Sequence, residues 1–110
     1  MHPMLTLWDG RRVPRIGTGC WPIGGTDYGE TFDFYSLAGL RLADEMGCKV
    51  FDTAMAYGWG RSERLLGQAF GEREDIVVVT KFGYPQDRLS SGTARRIPSL
   101  RDGSTRYATC

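Results

Sequence analysis

The sequence predicts an α/β fold built around a parallel sheet. Short apolar segments alternate with segments of helical periodicity, in the order strand, helix, strand, helix, strand. In addition, three reactive side chains lie at or near the ends of the predicted strands, namely Asp52, Tyr57 and Lys81. Because parallel strands bring their carboxyl ends to one rim of the sheet, this order predicts a functional site at that rim.

Residues 5–20 are predicted to form a hairpin that leads into the first strand of the parallel sheet. Polar and apolar side chains alternate over residues 5–8, and residues 11–13 form the returning strand. Asp9 and Gly10 between them are typical of a two-residue turn in which both positions adopt a positive φ.

A first helix is predicted over residues 31–46. Four of its side chains recur with helical period and are expected to face the core: Tyr35, Ala38, Leu42 and Met46. Arg41, Asp44 and Glu45 are expected to face solvent. Gly47 is placed to end the helix in the left-handed conformation.

A second helix is predicted to begin near Ser62, which can cap its N-terminus. Its expected buried stripe precedes Gly71 and consists of Leu65, Leu66, Ala69 and Phe70. Strands are predicted on either side of this helix, over residues 49–51 and 76–80. Glu63 is expected to have a structural role, because an acid in the first turn complements the helix dipole.

Asp52, Tyr57 and Lys81 together have the chemistry of a proton donor. A free tyrosine titrates at about 10, which makes it a poor acid near neutrality. A lysine ammonium beside it favours the phenolate and so improves the acid, and a carboxylate keeps that lysine charged. Such a group supplies a proton but no electrons, so reduction of a carbonyl also needs a hydride-carrying cofactor.

The sequence around these residues resembles the aldo-keto reductase superfamily. Most of the similarity lies in the run Phe51-Asp52-Thr53-Ala54-Met55-Ala56-Tyr57-Gly58-Trp59-Gly60-Arg61-Ser62-Glu63, with further matches at residues 16–21, 66–67 and 80–83. The resemblance implies the N-terminal part of a (β/α)8 TIM barrel, made of a hairpin and about three βα units. It also implies reduction of a small aldehyde or ketone to an alcohol with NADPH, with NADH left open as an alternative.

The resemblance assigns a role to each member of the trio. Tyr57 matches the proton donor of the family, Lys81 the lysine that makes this tyrosine more acidic, and Asp52 the carboxylate paired with the lysine.

The resemblance also assigns a cofactor-binding segment. Gly19, Cys20 and Trp21 match the residues beside the nicotinamide and the substrate pocket, and Asp52 is placed in the same cofactor-binding set. A further catalytic residue of the family is a histidine beyond the next strand. The only histidine of this sequence is His2, which is not at that position.

The length predicts an incomplete barrel. A (β/α)8 barrel typically takes about 250 residues, whereas this sequence has 110. Residues 1–83 are therefore expected to form the N-terminal portion of a barrel, truncated and inactive, whose open strand edges allow self-association. Residues 84–110 are rich in arginine, glycine and serine, and are expected to be a tail that is disordered or out of frame.

Composition narrows the class of protein. Hydrophobic residues make up 41% and charged residues 25%, which is typical of a soluble globular domain. A net charge of +1 gives no indication of a nucleic-acid or membrane partner. Without a long apolar run the expected location is the cytoplasm. The three cysteines are widely spaced, so neither a disulfide framework nor a metal site is expected.

Two alternatives to a reductase remain open at the level of the sequence. One is a non-catalytic binding or regulatory relative, which the absence of the family histidine favours and the retention of Asp52, Tyr57 and Lys81 disfavours. The other is a non-functional product of a broken gene.

Overall fold

A computed structural model describes residues 3–82 and the backbone of residues 106–109. The secondary-structure elements, in chain order, are β1 (Met4–Thr6), β2 (Arg12–Pro14), β3 (Thr18–Gly19), a 3₁₀ helix (Pro22–Gly24), α1 (Asp33–Glu45), β4 (Val50–Asp52), α2 (Arg61–Phe70), β5 (Val77–Lys81) and β6 (Arg106–Thr109). The predicted parallel α/β order is therefore present.

The N-terminal hairpin forms with a different turn from the one predicted. Strands β1 and β2 are antiparallel, with Met4 opposite Pro14. The amide of Gly10 donates to the carbonyl of Leu7, and the amide of Leu7 donates to the carbonyl of Arg11. Among the turn residues 8–10, only Gly10 has a positive φ, of 86°. The connection is thus a three-residue loop with glycine in the left-handed position, and the prediction of a two-residue turn at Asp9 and Gly10 was wrong.

The parallel sheet has the order β3-β4-β5-β6. Gly19 pairs with Asp52, and Asp52 pairs with Val79, so the three strands that the sequence predicted are in register at their carboxyl ends. Strand β6 pairs parallel to β5 and lies in the segment where no strand was predicted. The rest of the proposed tail, residues 84–105 and 110, lies outside the described residues.

Helix α1 buries a different face from the one predicted. Ser36 and Leu40 are buried, whereas Tyr35, Leu42 and Met46 are exposed. Helical periodicity alone was misleading here, because apolar residues occur on both sides of α1 and either set satisfies the period. The predicted end of the helix is confirmed, since Gly47 follows it with a φ of 95°.

The prediction that Asp44 of α1 faces solvent was also wrong, because its side chain is only 16% exposed. It accepts hydrogen bonds from Lys49 and from Arg73, and both cations also pair with Asp75. The hydrogen bonds from Arg73 and Lys49 lower the pKa of Asp44. This cluster ties the end of α1 to the amino ends of β4 and β5, opposite the predicted site.

Helix α2 begins at Arg61 and not at a serine cap. Its N-cap is Gly60, in the left-handed conformation with a φ of 101°. Ser62 is instead a fully buried residue of the first turn. Its hydroxyl hydrogen-bonds to Thr53 Oγ1 at 2.7 Å and donates to the carbonyl of Cys20 at 3.0 Å. The prediction of Ser62 as the cap was therefore wrong, because its oxygen bonds to neighbouring strands and not to the α2 backbone.

The core lies between the sheet and the two helices. The predicted stripe of α2 is confirmed at Leu65, Leu66 and Phe70, while Ala69 packs against this core with partial burial. Phe51 of β4 is fully buried, and its ring centroid lies 4.7 Å from that of Phe70. This packing fixes α2 against β4 and thereby fixes the loop that connects them.

The two leucines of α1 provide a matched test of the buried face. Leu40→Ala is expected to lower the free energy of unfolding by about 2–5 kcal/mol, because it leaves a cavity beside α2 and the sheet. Leu42→Ala, at a side chain that is 55% exposed, is expected to change it by less than about 0.5 kcal/mol. Urea unfolding of both variants measures the difference, and equal losses would contradict the orientation of α1.

Candidate active site

The sheet register places the predicted site residues on one face. In-register neighbours of a parallel sheet point to the same side, and residues two apart on one strand do likewise. Gly19, Asp52 and Val79 are neighbours in register, and Lys81 lies two residues beyond Val79. Gly19, Asp52 and Lys81 are therefore on the same face at the carboxyl ends of β3, β4 and β5.

The ammonium of Lys81 has three acceptors. Its Nζ lies 2.6 Å from Asp52 Oδ1, 2.9 Å from the carbonyl oxygen of Thr53 and 3.3 Å from Tyr57 Oη. An ammonium carries three donor hydrogens and no lone pair, so these contacts use its full capacity. The structure thus brings together the three residues that the sequence predicted, and adds the main chain of Thr53.

The charge of Lys81 follows from this environment. Partial burial lowers the pKa of Lys81 and is the largest single influence, but the hydrogen bonds to Asp52 and Tyr57 and the charge interactions with the same two groups together outweigh it and raise the pKa. Both charged side chains remain open to solvent, with 40% of Lys81 and 49% of Asp52 exposed. Lys81 is therefore positively charged at neutral pH and within reach of a ligand.

The contact between Lys81 and Tyr57 has a fixed direction. Because Lys81 can only donate, Tyr57 Oη must accept in this contact, and the phenolic proton remains for another acceptor. The main chain of Tyr57 is held in a tight turn, in which its amide donates to the carbonyl of Ala54 and its carbonyl accepts from the amide of Ser62. Tyr57 is thereby oriented by both its backbone and its hydroxyl group.

Trp21 lies over the ring of Tyr57. The two ring centroids are 5.8 Å apart with an interplanar angle of 14°, which is a stacked geometry. The indole Nε1 donates to Asp27 Oδ2 at 2.9 Å. The ring centroids of Trp21 and Tyr28 are 5.2 Å apart in a T-shaped arrangement. The hydrogen bond from Trp21 lowers the pKa of Asp27, which therefore stays a carboxylate acceptor. Asp27 and Tyr28 were not predicted as site residues.

Cys20 does not contribute a side chain to the exposed rim. It is 1% exposed and packs in the core with Phe51 and Leu65. Burial raises the pKa of its thiol to about 12, with the charge of Asp52 adding to the effect. Gly19 faces the rim and the next residue faces the helices, because side chains alternate along a strand. Of the predicted cofactor set, Cys20 can therefore offer only its main chain.

A second pair of polar residues behind the rim was only partly anticipated. Thr80 Oγ1 donates to Glu63 Oε1 at 2.6 Å, and both residues are buried. This bond joins the first turn of α2 to β5, next to Lys81, which agrees with the structural role predicted for Glu63. The sequence showed only an acid in the first turn of the predicted helix, and the partner of Glu63 became visible in the structure.

Two kinds of feature are absent from residues 3–82 and the strand at 106–109. Within these ranges no group of three or more His, Cys, Asp or Glu side chains is arranged to hold a metal ion. Neither helix within these ranges has the length and apolar character needed to cross a membrane.

The fold and the rim geometry agree with a known family. The model of the aldo/keto reductase family matches residues 15–105. The chain belongs to this family, and the resemblance inferred from residues 51–63 is confirmed. The match also continues past residue 83, where the sequence analysis placed the end of the similarity.

Curated relatives show the same affiliation. Aldo-keto reductase YhdN of Bacillus subtilis is 41% identical over 75 residues, which is 66% of this chain and 23% of that protein. Aldo-keto reductase yakc [NADP(+)] of Schizosaccharomyces pombe is 36% identical over 78 residues, 68% of this chain and 23% of that protein. The chain thus spans about a quarter of the length of these relatives.

Solved structures confirm the predicted fold. An aldo-keto reductase from Klebsiella pneumoniae in complex with NADPH superposes with a TM-score of 0.62 at 32% identity, covering 74% of this chain and 28% of that one. AKR11C1 from Bacillus halodurans, in its holo form, gives a TM-score of 0.66 at 26% identity, covering 84% and 30%. The described residues therefore have the fold of part of an aldo-keto reductase (β/α)8 barrel.

The burial of Cys20 predicts an unreactive thiol. In the folded chain at pH 8, Cys20 is expected to resist alkylation by iodoacetamide, because a pKa of about 12 leaves a thiolate fraction on the order of 10⁻⁴ and the core blocks access. Cys48, which is partly exposed, is the internal control. Mass spectrometry of peptides after timed alkylation measures both sites. Labelling of Cys20 as fast as Cys48 without denaturant would contradict its placement in the core.

Proposed function

We propose that the segment forms the catalytic rim of an NADPH-dependent reductase of small aldehydes or ketones that acts in the cytoplasm. The observation that carries this proposal is the contact of Lys81 Nζ with both Asp52 Oδ1 and Tyr57 Oη. Membership of the aldo/keto reductase family supports it. Cys20 and Cys48 are free thiols, which fits a reducing compartment.

Tyr57 is the proposed proton donor. Its hydroxyl accepts from Lys81, so its own proton can be directed at the oxygen of a bound carbonyl. As the proton leaves, negative charge develops on the phenolic oxygen, 3.3 Å from a lysine that is already positive. The ammonium stabilises this charge without rearranging, which is electrostatic preorganisation. Solvent then returns a proton to the tyrosine.

Asp52 and Thr53 have a positioning role in this proposal. They bind the other two hydrogens of the ammonium and so direct the third at Tyr57. Asp52 also offsets the cost of partly burying the lysine charge, which otherwise lowers the pKa of Lys81.

The residues at the rim fit a nicotinamide cofactor. When bound, such a cofactor supplies the hydride that reduces the carbonyl carbon. Gly19 is exposed, and a Cβ added there meets no atom within 4 Å, so a flat ring can approach its backbone. Trp21 is 45% exposed and adjoins Tyr57. Gly19, Trp21 and Asp52 are therefore proposed to line the cofactor and substrate side, with Cys20 contributing its main chain. NADPH is proposed as the cofactor because the solved Klebsiella pneumoniae reductase is in complex with NADPH and yakc is named for NADP(+), and NADH is kept as the alternative.

The role of Tyr57 is tested in a complete barrel. Residues 1–83 are joined to the remaining barrel of Bacillus subtilis YhdN, and Tyr57→Phe is compared with the parent chimera. Loss of a positioned acid is expected to lower kcat by about 10² to 10⁴ for an aromatic aldehyde with NADPH. Tyr35→Phe is the matched control, because Tyr35 is an exposed tyrosine of α1. Turnover by Tyr57→Phe equal to that of Tyr35→Phe would contradict the assignment.

The 110-residue chain alone is proposed to be inactive. Its only histidine is His2, which does not lie at the position of the family histidine in the sequence. Purified chain is expected to show no oxidation of NADPH or NADH with aromatic aldehydes, followed at 340 nm. Turnover that disappears in Lys81→Met would contradict this expectation, and turnover that survives in Lys81→Met would indicate a contaminating enzyme.

A further inference from the structure

The segment that carries Trp21 is internally braced. This segment, residues 20–32, is called here the Trp21 loop. The indole of Trp21 is tied to Asp27, and the amides of Gly24 and Gly25 donate to the carbonyls of Trp21 and Pro22. These bonds tie the first half of the loop together, so a contact that anchors residues 21–27 also helps to fix the indole.

Arg61 anchors the far end of the Trp21 loop. Its Nε donates to Asp33 Oδ1 at 2.8 Å, and its Nη2 donates to the carbonyl oxygen of Thr31 at 2.9 Å. The guanidinium also lies against Gly25, where an added Cβ would come within 2.2 Å of Nη1. One side chain at the start of α2 therefore contacts the loop at its middle and at its end.

The Trp21 loop contacts the loop between β4 and α2, which carries Tyr57. This contact is close enough to require glycine on both sides. A Cβ on Gly24 would lie 2.7 Å from the carbonyl carbon of Tyr57, and one on Gly58 would lie 2.2 Å from the carbonyl oxygen of Gly24. Gly58 also has a φ of 63°, which favours glycine independently of space. The Trp21 loop thus rests directly on the main chain of Tyr57.

The position of Arg61 on its helix points to the same role. Arg61 is the first residue of α2, and a cation at a helix N-terminus opposes the macrodipole. The charge therefore does not serve the stability of α2. The side chain of Arg61 instead hydrogen-bonds to Asp33 and to the main chain of Thr31. An arginine fork can reach two acceptors while lying flat on a glycine, which a lysine cannot do.

We propose that Arg61 is a positioning residue that holds the Trp21 loop closed and thereby sets the indole of Trp21 against the ring of Tyr57. Resting on the proposed function, this contact makes Arg61 a determinant of the shape of the substrate pocket, because Trp21 and Tyr57 form adjoining walls. Arg61 touches neither of the two rings directly through its charged group. It acts through residues 25, 31 and 33.

The test follows Trp21 in the full 110-residue chain, without any need for catalysis. The chain is labelled with 5-fluorotryptophan, and the three fluorine resonances are assigned with single Trp→Phe variants. In Arg61→Ala, the Trp21 resonance is expected to shift toward that of the free amino acid and to become more sensitive to exchange of H2O for D2O. The Trp8 resonance and the far-UV circular dichroism are expected to stay unchanged.

Three further variants complete the design. Arg64→Ala removes an exposed arginine from the same helix and is expected to leave Trp21 unshifted. Asp33→Asn removes only the carboxylate partner, at an exposed site, and is expected to shift Trp21 in the same direction by a smaller amount. Arg61→Lys is expected to restore the parent spectrum only in part. If Arg61→Ala does not fold, Asp33→Asn decides alone.

The outcomes separate this inference from the proposed function. An unshifted Trp21 resonance in folded Arg61→Ala, or in Asp33→Asn where that variant decides, overturns the role of Arg61. A shift supports it whatever the activity of the Tyr57→Phe chimera is. If Tyr57→Phe does not lower the turnover of the chimera, the proposed reductase function is overturned. The measured position of Trp21 is not affected by that result.

Discussion

The ammonium of Lys81 is the interaction on which the rim depends. It has three hydrogens and finds three acceptors, on Asp52, Thr53 and Tyr57. Each acceptor directs one of these hydrogens, so removal of one of them frees the ammonium to turn toward water, because 40% of the Lys81 side chain is exposed. The acceptors come from β4 and the loop after it, whereas the lysine ends β5. The parallel register of these two strands, with Asp52 opposite Val79, is therefore a requirement of the site.

Close backbone approach is the second constraint, and it explains the glycines around the rim. The Trp21 loop meets the Tyr57 turn at Gly24 and Gly58, where a Cβ on either would collide with main-chain atoms. Such a contact cannot be relieved by rotating a side chain, so the two loops must keep their relative position. The stacking of Trp21 on Tyr57 is the visible result. The close approach of the two loops here depends on small residues, not on large ones.

The sequence predicted the strands and the proximity of Asp52, Tyr57 and Lys81 well, and the helix faces less well. Residues 51–63 form a specific motif, and strand ends are marked by a change from apolar to polar residues, so Asp52 and Lys81 were found. The turn at Gly10, the cap at Ser62 and the buried face of α1 were wrong because each depends on tertiary contacts. Ser62, for example, bonds to Thr53 and Cys20 instead of its own helix. The orientation of Cys20 was predictable, since alternation from Gly19 places it on the helix side.

Similar charged groups lie at both ends of the sheet, but their roles there differ. At the amino ends of β4 and β5, the cations of Lys49 and Arg73 meet the carboxylates of Asp44 and Asp75 in equal number. Every charge there has an opposite partner, and the cluster only ties elements together. At the carboxyl ends, Lys81 meets one carboxylate and one phenol. Because the phenol accepts from the lysine, its own proton is not used in that contact. The proposed role of Tyr57 as a proton donor depends on this difference, since the four charged groups at the amino ends only pair with one another.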